Sequence, residues 1–188
     1  MDSRTGILRS ALTLFAARGY DDVGVQEIAA SIGVAKPTLY HFFGSKNGLL
    51  KELFREYASQ LDEEVSRGSL YQGDLPKTLD RIAAAYIDFA TREPLAYRLE
   101  LALYFAGHEN LARLVALEHY NRRQSLLEAV FLAAAKDHGN LRGRHRRYAF
   151  SFIGAVNSYI VLQLDGEVVI TERLRHDIVH QFSHGIYS

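Results

Sequence analysis

The chain has no cysteine, which excludes disulfides, thiolate metal sites and cysteine nucleophiles together. No uninterrupted apolar run reaches the roughly 18 residues that a membrane-spanning helix needs. The longest candidate, residues 149–164, is interrupted by serine, asparagine and glutamine. The first residues show no apolar core followed by a small-residue cleavage site, so no export signal is predicted. We therefore expect a cytoplasmic protein without a membrane association.

The sequence also lacks a net charge and the common motifs of catalysis. Its 22 lysines and arginines balance 22 aspartates and glutamates, so the whole molecule offers no strong field that would attract a polyanion. Residues 1–51 hold six basic and four acidic side chains, a net charge of only +2. No nucleophile elbow, zinc-protease motif, P-loop or dinucleotide-binding glycine motif is present. An enzyme is not expected, and no cofactor is implied.

Apolar residues recur at helical spacing along almost the whole chain, and strand-like alternation is nearly absent. Glycine, proline and charged residues interrupt this pattern at intervals. We therefore predict an all-α protein of about nine helices. The predicted helices lie near residues 7–18, 25–32, 36–42, 45–61, 75–91, 95–105, 111–135, 146–164 and 171–186.

The second and third predicted helices are short and are joined by a turn that begins at Gly33. Two such helices, held by a preceding helix, form the helix-turn-helix arrangement of DNA-binding proteins. The apolar residues predicted to pack the two helices together are Ile28, Ala29, Ile32, Val34 and Leu39. The residues predicted to point outward from the third helix are Lys36, Pro37, Thr38, Tyr40 and His41.

The start of the third helix breaks two rules of helix stability. Ala35 is a poor N-cap, and Lys36 is a cation at the positive end of the helix dipole. Such departures are typical of functional sites. A lysine beside free backbone N–H groups suits phosphate oxygens and guanine edges. The alternative interpretation is an ordinary surface helix.

The segment at residues 33–46, GVAKPTLYHFFGSK, resembles the helix-turn-helix signature of TetR-family transcriptional regulators. The similarity covers about residues 5–51, and the later helices match only in layout. It implies an all-helical homodimer with a three-helix DNA-binding domain at residues 1–46. The helical domain at residues 47–188 would bind a small-molecule effector and form the dimer.

By matching positions, the resemblance implies that the protein contacts double-stranded operator DNA through the third helix. Phosphate contacts are implied for Thr38, Tyr40 and Lys46, and contacts near bases or backbone for Lys36, Pro37 and His41. The implied function is a sequence-specific regulator, a repressor that a small molecule releases from a palindromic operator. The alternatives are a helical dimeric ligand-binding module without DNA binding, or a helical enzyme.

The helix predicted near residues 146–164 is apolar on almost every face in its central part, so it must be covered on two sides. One side can pack on the chain itself, and the other would pair with a second copy in a four-helix interface that includes the last helix. A core helix of a larger monomeric bundle is the alternative. The predicted interface residues are Ile153, Gly154, Val156, Ser158, Ile160, Val161, Ile178, Phe182 and Ile186.

Aromatic rings and isolated polar residues in otherwise packable helices indicate an effector pocket, although core packing or a solvated surface is the alternative for each of them. With many rings and no acidic cluster, the ligand is expected to be flat or apolar, and neutral or weakly charged. The candidate pocket residues are Tyr57, Tyr86, Phe89, Tyr104, Phe105, His119, Tyr120, Gln124, Phe152 and Asn157.

Three histidines, His176, His180 and His184, recur every four residues and could bind a metal in pairs. They lie about 200° around the helix from its apolar residues, on the polar face. We therefore predict a solvated stripe and no metal site.

Overall fold

The computed structural model describes residues 2–185, and this part of the chain is all α-helical with no strand. The predicted fold class is confirmed. The helices are α1 (Ser3–Arg18), α2 (Val25–Ser31), α3 (Lys36–Phe43), α4 (Lys46–Gly68), α5 (Leu75–Arg92), α6 (Pro94–Tyr104), α7 (Leu111–Ala134), α8 (His145–Leu164) and α9 (Glu172–His184), with a short 3-10 turn at Gly139–Leu141. None of the described helices is both long and apolar enough to cross a membrane.

The described chain forms two compact units. The first comprises the residues up to 59 together with residues 93–120, and the second comprises residues 60–92 and those from 121 onward. Helices α4 and α7 therefore each contribute residues to both units.

The first unit is built around α1, which packs against α2, α3 and α6. Its buried stripe follows the predicted helical spacing and consists of Ile7, Leu8, Ala11, Leu12 and Phe15. Gly19, at a φ of +84°, ends α1, and Gly33, at +69°, makes the turn between α2 and α3. Glycine adopts this left-handed backbone without the steric penalty that a side chain would bring.

Helices α2 and α3 pack together as the sequence predicts. Ile28, Ala29 and Leu39 are fully buried between neighbouring helices, whereas Ile32 and Val34 are half-buried. The Ser45 hydroxyl accepts a hydrogen bond of 2.9 Å from the Gly48 N–H and so caps the first turn of α4. This cap fixes the point at which α4 starts after α3.

The second unit is a layered set of helices in which α5 packs against both α8 and α9. Arg175 on α9 donates two hydrogen bonds, of 3.0 and 3.2 Å, to the Asp80 carboxylate on α5. The Thr171 hydroxyl caps α9 by accepting from the Leu174 N–H at 3.2 Å. The histidine stripe of α9 is exposed, as predicted, and the His180 and His184 rings stack at 4.3 Å.

Candidate functional site

Helix α3 is anchored on one face and open on the other. Leu39 and Phe43 are buried in the first unit, while Pro37 and His41 lie on the opposite side of the helix and are exposed. The His41 ring packs edge-on against the Phe42 ring, with 5.5 Å between the ring centroids. The buried side chains of Leu39 and Phe43 hold α3 in place, and its opposite face is open to solvent.

The N-terminus of α3 carries an unbalanced positive charge. Ala35 is extended and forms no side-chain cap, as predicted. Lys36 is exposed, lies 5.7 Å from the centroid of the Tyr40 ring, and pairs with no carboxylate among the described residues. Arg4 and Arg18, by contrast, are held in ion pairs with Glu52 and Glu27. A lysine without a carboxylate partner among the described residues therefore stands at the start of α3.

Lys46 is more enclosed than the other predicted DNA contacts. Its ammonium group lies 4.2 Å from the Tyr20 ring centroid and donates to the Asp21 carbonyl oxygen at 3.3 Å. Partial burial lowers the pKa of Lys46, although the carboxylates of Asp21 and Asp22 act in the opposite direction. This lysine ties the start of α4 to the segment after α1, so its removal would affect structure as well as any phosphate contact.

A buried polar cluster lies in the second unit, and the sequence identifies only part of it. The Arg123 guanidinium donates to an Asp62 carboxylate oxygen at 2.6 Å, and their side chains are only 1% and 6% exposed. The guanidinium carbon of Arg123 lies 5.9 Å from the Tyr86 ring centroid. Burial raises the pKa of Tyr86, and Arg123 opposes that rise. Gln124 follows on α7, 5% exposed, and its amide nitrogen has no hydrogen-bond partner among the described residues.

The ten predicted pocket residues are divided between the two units. Tyr57, Tyr104, His119 and Tyr120 are half-buried in the first unit, where the Tyr104 and Tyr120 rings meet at 4.0 Å, and Phe105 is 77% exposed there. The members in the second unit are Tyr86, Phe89, Gln124, Phe152 and Asn157.

Asp62 and Arg123 are absent from the sequence-based candidates. Both residues could have been identified from their positions, because each is a charged residue within the apolar stripe of its helix. Asp62 follows the buried Leu61, and Arg123 stands seven residues from both Ala116 and Val130, which are buried on the same face of α7.

The predicted interface residues of α8 also separate into two groups. Ile153, Val156 and Ile160 are buried within the chain, as is Ile178 on α9, so these four belong to the core of the second unit rather than to a free surface. Gly154, Ser158 and Val161 are exposed. Phe182 is half-buried and packs against Phe152 with ring centroids 5.1 Å apart, and Ile186 lies outside the described residues.

Comparison with known proteins agrees with this geometry. A family model described as bacterial regulatory proteins, tetR family, matches residues 7–53, which include all of α2 and α3 and every predicted DNA contact. This part of the chain belongs to the TetR family. The predicted family is thus confirmed, and the protein is a DNA-binding transcriptional regulator of the TetR type.

Two relatives show how far the TetR-family similarity extends along the chain. The HTH-type transcriptional activator FasR of Mycolicibacterium smegmatis is 28% identical over 153 residues, covering 81% of this chain and 68% of FasR. The HTH-type transcriptional repressor AcnR of Corynebacterium glutamicum is 34% identical over 71 residues, 38% of each chain. The sequence similarity to AcnR thus covers well under half of that protein.

Solved structures of TetR-type regulators share the whole fold. FadR from Bacillus subtilis, solved in complex with stearoyl-CoA, matches with a TM-score of 0.78 at 18% identity, covering 97% of this chain and 98% of that chain. PfmR from Thermus thermophilus matches with a TM-score of 0.74 at 22% identity, covering 96% and 98%. At these identities the likeness shows the fold alone.

Proposed function

We propose that this TetR-family regulator is a homodimeric repressor that binds a palindromic operator through α3 and is released when a small molecule binds its helical domain. The DNA-binding domain is assigned to residues 1–46 and the helical domain to residues 47–188. The observation that carries the proposal is the open face of α3, which places a lysine without a carboxylate partner in the described chain at a helix N-terminus within the family match.

The proposed DNA contacts of α3 and the start of α4 fall into two groups, those near base edges and those near phosphates. Pro37 and His41 lie opposite the buried side and would approach base edges, with Lys36 at the start of the helix beside them. The side chains proposed to contact phosphates are Thr38, Tyr40 and Lys46. Base contacts determine which sequence is bound, whereas phosphate contacts position the helix on any sequence.

The first experiment selects bound sites from random DNA and then measures affinity for the selected site and for unrelated DNA. We expect palindromic sites. Lys36→Ala should weaken binding to the selected site more than to unrelated DNA, by about 1 to 3 kcal/mol if it contacts a base. Lys136→Ala removes an equivalent exposed lysine outside the DNA-binding domain and should change neither affinity. Equal losses on both DNAs for Lys36→Ala would contradict a base contact.

The homodimer is proposed to form through the exposed face of α8. Phe150, Gly154, Ser158 and Val161 recur at helical spacing on that face and are all exposed in the single chain. Small residues at 154 and 158 let a second helix approach closely, while Phe150 and Val161 supply apolar area. A two-fold dimer presents two copies of α3, which matches a palindromic site.

The effector is proposed to bind in the helical domain, where the buried polar cluster offers groups that orient a ligand within apolar surroundings. FadR of Bacillus subtilis was solved with stearoyl-CoA, so fatty acyl-CoA thioesters belong in the first panel of candidate ligands.

Repression itself is tested with a reporter that carries the selected operator. Deletion of the regulator should raise transcription, and a fall would instead indicate an activator such as FasR.

A further inference from the structure

A cleft of about 310 Å³ lies in the second unit, and no residue of the buried polar cluster lines it. It is formed by the start of α5, the end of α7, the 3-10 turn, the start of α8 and the end of α9. Its volume is at the small end of the range for ligand pockets. None of the ten pocket residues predicted from the sequence lines it. We infer that this cleft is a binding site for a neutral, planar aromatic molecule of one or two rings.

Aromatic rings form the walls of the cleft. The Phe131 and Tyr148 centroids are 5.8 Å apart, and Phe182 lies 6.1 Å from Phe131 and 6.3 Å from Tyr148. The planes of Tyr148 and Phe182 are almost perpendicular, at 88°. Phe131 is buried behind the other two rings, whereas Tyr148 and Phe182 are half-buried and meet edge to face. An inserted ring could therefore pack on Tyr148 and Phe182 in the offset or edge-to-face arrangements that aromatic pairs favour.

The charge of the lining determines the class of ligand. No aspartate, glutamate, lysine or arginine contributes to the cleft among the described residues. A charged ligand would therefore lose its hydration without a permanently charged group of the opposite sign beside it, which is unfavourable. The ligand consistent with this lining is uncharged.

Five polar side chains line the cleft, those of His138, Asn140, Tyr148, Ser183 and His184. His138 and Asn140 come from the 3-10 turn region, and Tyr148 adds a phenol hydroxyl. The side chains of these three residues form no hydrogen bond with another described residue. They are therefore available to a ligand hydroxyl or carbonyl, and a phenol has the required combination of a flat ring and a single polar group.

The test uses full-length protein and two naphthalene probes that share the same ring system and differ in charge. Binding of 2-naphthol and of 2-naphthoate is measured by calorimetry, since the first is neutral near pH 7 and the second is an anion. We expect saturable binding of 2-naphthol and at least tenfold weaker binding of 2-naphthoate. Equal affinities would overturn the assigned ligand class, and the absence of saturable 2-naphthol binding would overturn the site.

Two variants place the binding within the cleft. Leu75→Trp fills the cleft from the start of α5, and Leu70→Trp introduces the same ring at an exposed position that does not line it. The first should weaken 2-naphthol binding at least tenfold, and the second should leave it unchanged. Tyr148→Phe keeps the ring and removes the hydroxyl, so about a fivefold loss is expected from one hydrogen bond. Unchanged binding in a folded Leu75→Trp protein would contradict the site.

Ligand binding in the cleft does not require release of DNA, so cleft binding and operator release are measured separately. Calorimetry reports occupation of the cleft, whereas anisotropy of labelled operator reports release. Operator binding that fails altogether would contradict the proposed function and leave the cleft result standing. Binding of 2-naphthol that disappears in Leu75→Trp supports the cleft whichever result the operator assay returns.

Discussion

Asp62 and Arg123 are the clearest case in which a single residue decides stability. Their ion pair is almost completely buried, so removing the Asp62 carboxylate takes a counter-charge from a guanidinium that water hardly reaches. Asp62→Ala should lower the free energy of unfolding by about 3 to 5 kcal/mol, measured in urea at fixed protein concentration. Glu63→Ala, at the exposed neighbouring position, should change it by less than about 0.5 kcal/mol. A similar small effect for both variants would show that Arg123 gains solvent or another counter-charge.

For Gln124 we predict the opposite effect, a substitution that raises the free energy of unfolding. Its amide nitrogen is buried without a hydrogen-bond partner in the described chain, which costs about 1 to 3 kcal/mol relative to a satisfied or apolar group. Gln124→Leu should therefore raise the free energy of unfolding of the ligand-free protein by about 1 kcal/mol. Gln72→Leu, at an exposed loop position, should have no comparable effect. A clear loss of stability in Gln124→Leu would indicate a partner for the amide, such as a buried water molecule.

At the residue scale the sequence identifies polar groups but not the pairs they form. Gln124 and Tyr86 stand out as polar or aromatic residues in packable helices, and both are indeed buried. Asp62 and Arg123 do not stand out in the sequence, because a charged residue on a helix usually indicates a solvated face. Their burial comes from contact between residues 61 positions apart, which no local pattern records.

At the element scale, α8 shows how one helix can satisfy two requirements. One of its stripes is buried in the chain and the other is exposed, which agrees with the two-sided character predicted from its composition. The sequence could not assign each stripe to its partner, because both are apolar. Four of the predicted interface residues therefore proved to be core residues, while Gly154, Ser158 and Val161 remain available to a second copy.

Gly154→Leu tests the exposed stripe of α8. A side chain added at Gly154 meets no described atom within 4 Å in the single chain, so the monomer should fold normally. In the proposed dimer the leucine would separate two closely packed helices, and we expect at least about tenfold weaker dimerisation by sedimentation, in line with the cost of overpacking. Gly107→Leu, which also has open space around it, is the matched control. An unperturbed Gly154→Leu dimer would place the interface elsewhere.

The ends of the helices show where apolar periodicity stops being informative. Helix α1 begins at Ser3 rather than near Ile7, because its first turn is polar and adds nothing to the apolar stripe. The start of α3 at Lys36 agrees with prediction, since Pro37 fits the first helical turn. Terminal turns are held by pairs such as Arg4 with Glu52, at 2.6 Å, which join residues far apart in the sequence.

At the scale of the whole molecule, the order of helices along the chain differs from their grouping in space. Helix α6 packs against α1 and belongs to the first unit, although it follows α5 of the second. Sequence analysis groups neighbouring segments, so it cannot foresee a segment that returns to an earlier unit. The boundary between residues 46 and 47 remains a prediction, and it lies in the first turn of α4, a single helix that contributes to both units.

That continuity of α4 leads to a prediction about the whole regulator. Helix α4 starts three residues after the end of α3 and continues to Gly68, carrying Asp62 of the buried polar cluster. An effector that favours one position of α4 would change the separation of the two α3 helices in the dimer, which must be about 34 to 36 Å, or a compatible multiple, to enter successive major grooves. Such an effect is a coupling free energy and is therefore reciprocal.

With a coupling of about 1 to 3 kcal/mol, operator DNA should weaken effector binding about 5-fold to 150-fold, the same factor by which the effector weakens operator binding. The measurement is a titration of an identified effector with and without saturating operator. Unrelated DNA at the same concentration is the control, because DNA that is not bound specifically should leave effector affinity unchanged. Equal effector affinity with and without operator in the unmodified protein would contradict release through α4. The helical domain would then serve dimerisation alone, since a ligand with the same affinity for both states cannot shift the equilibrium between them.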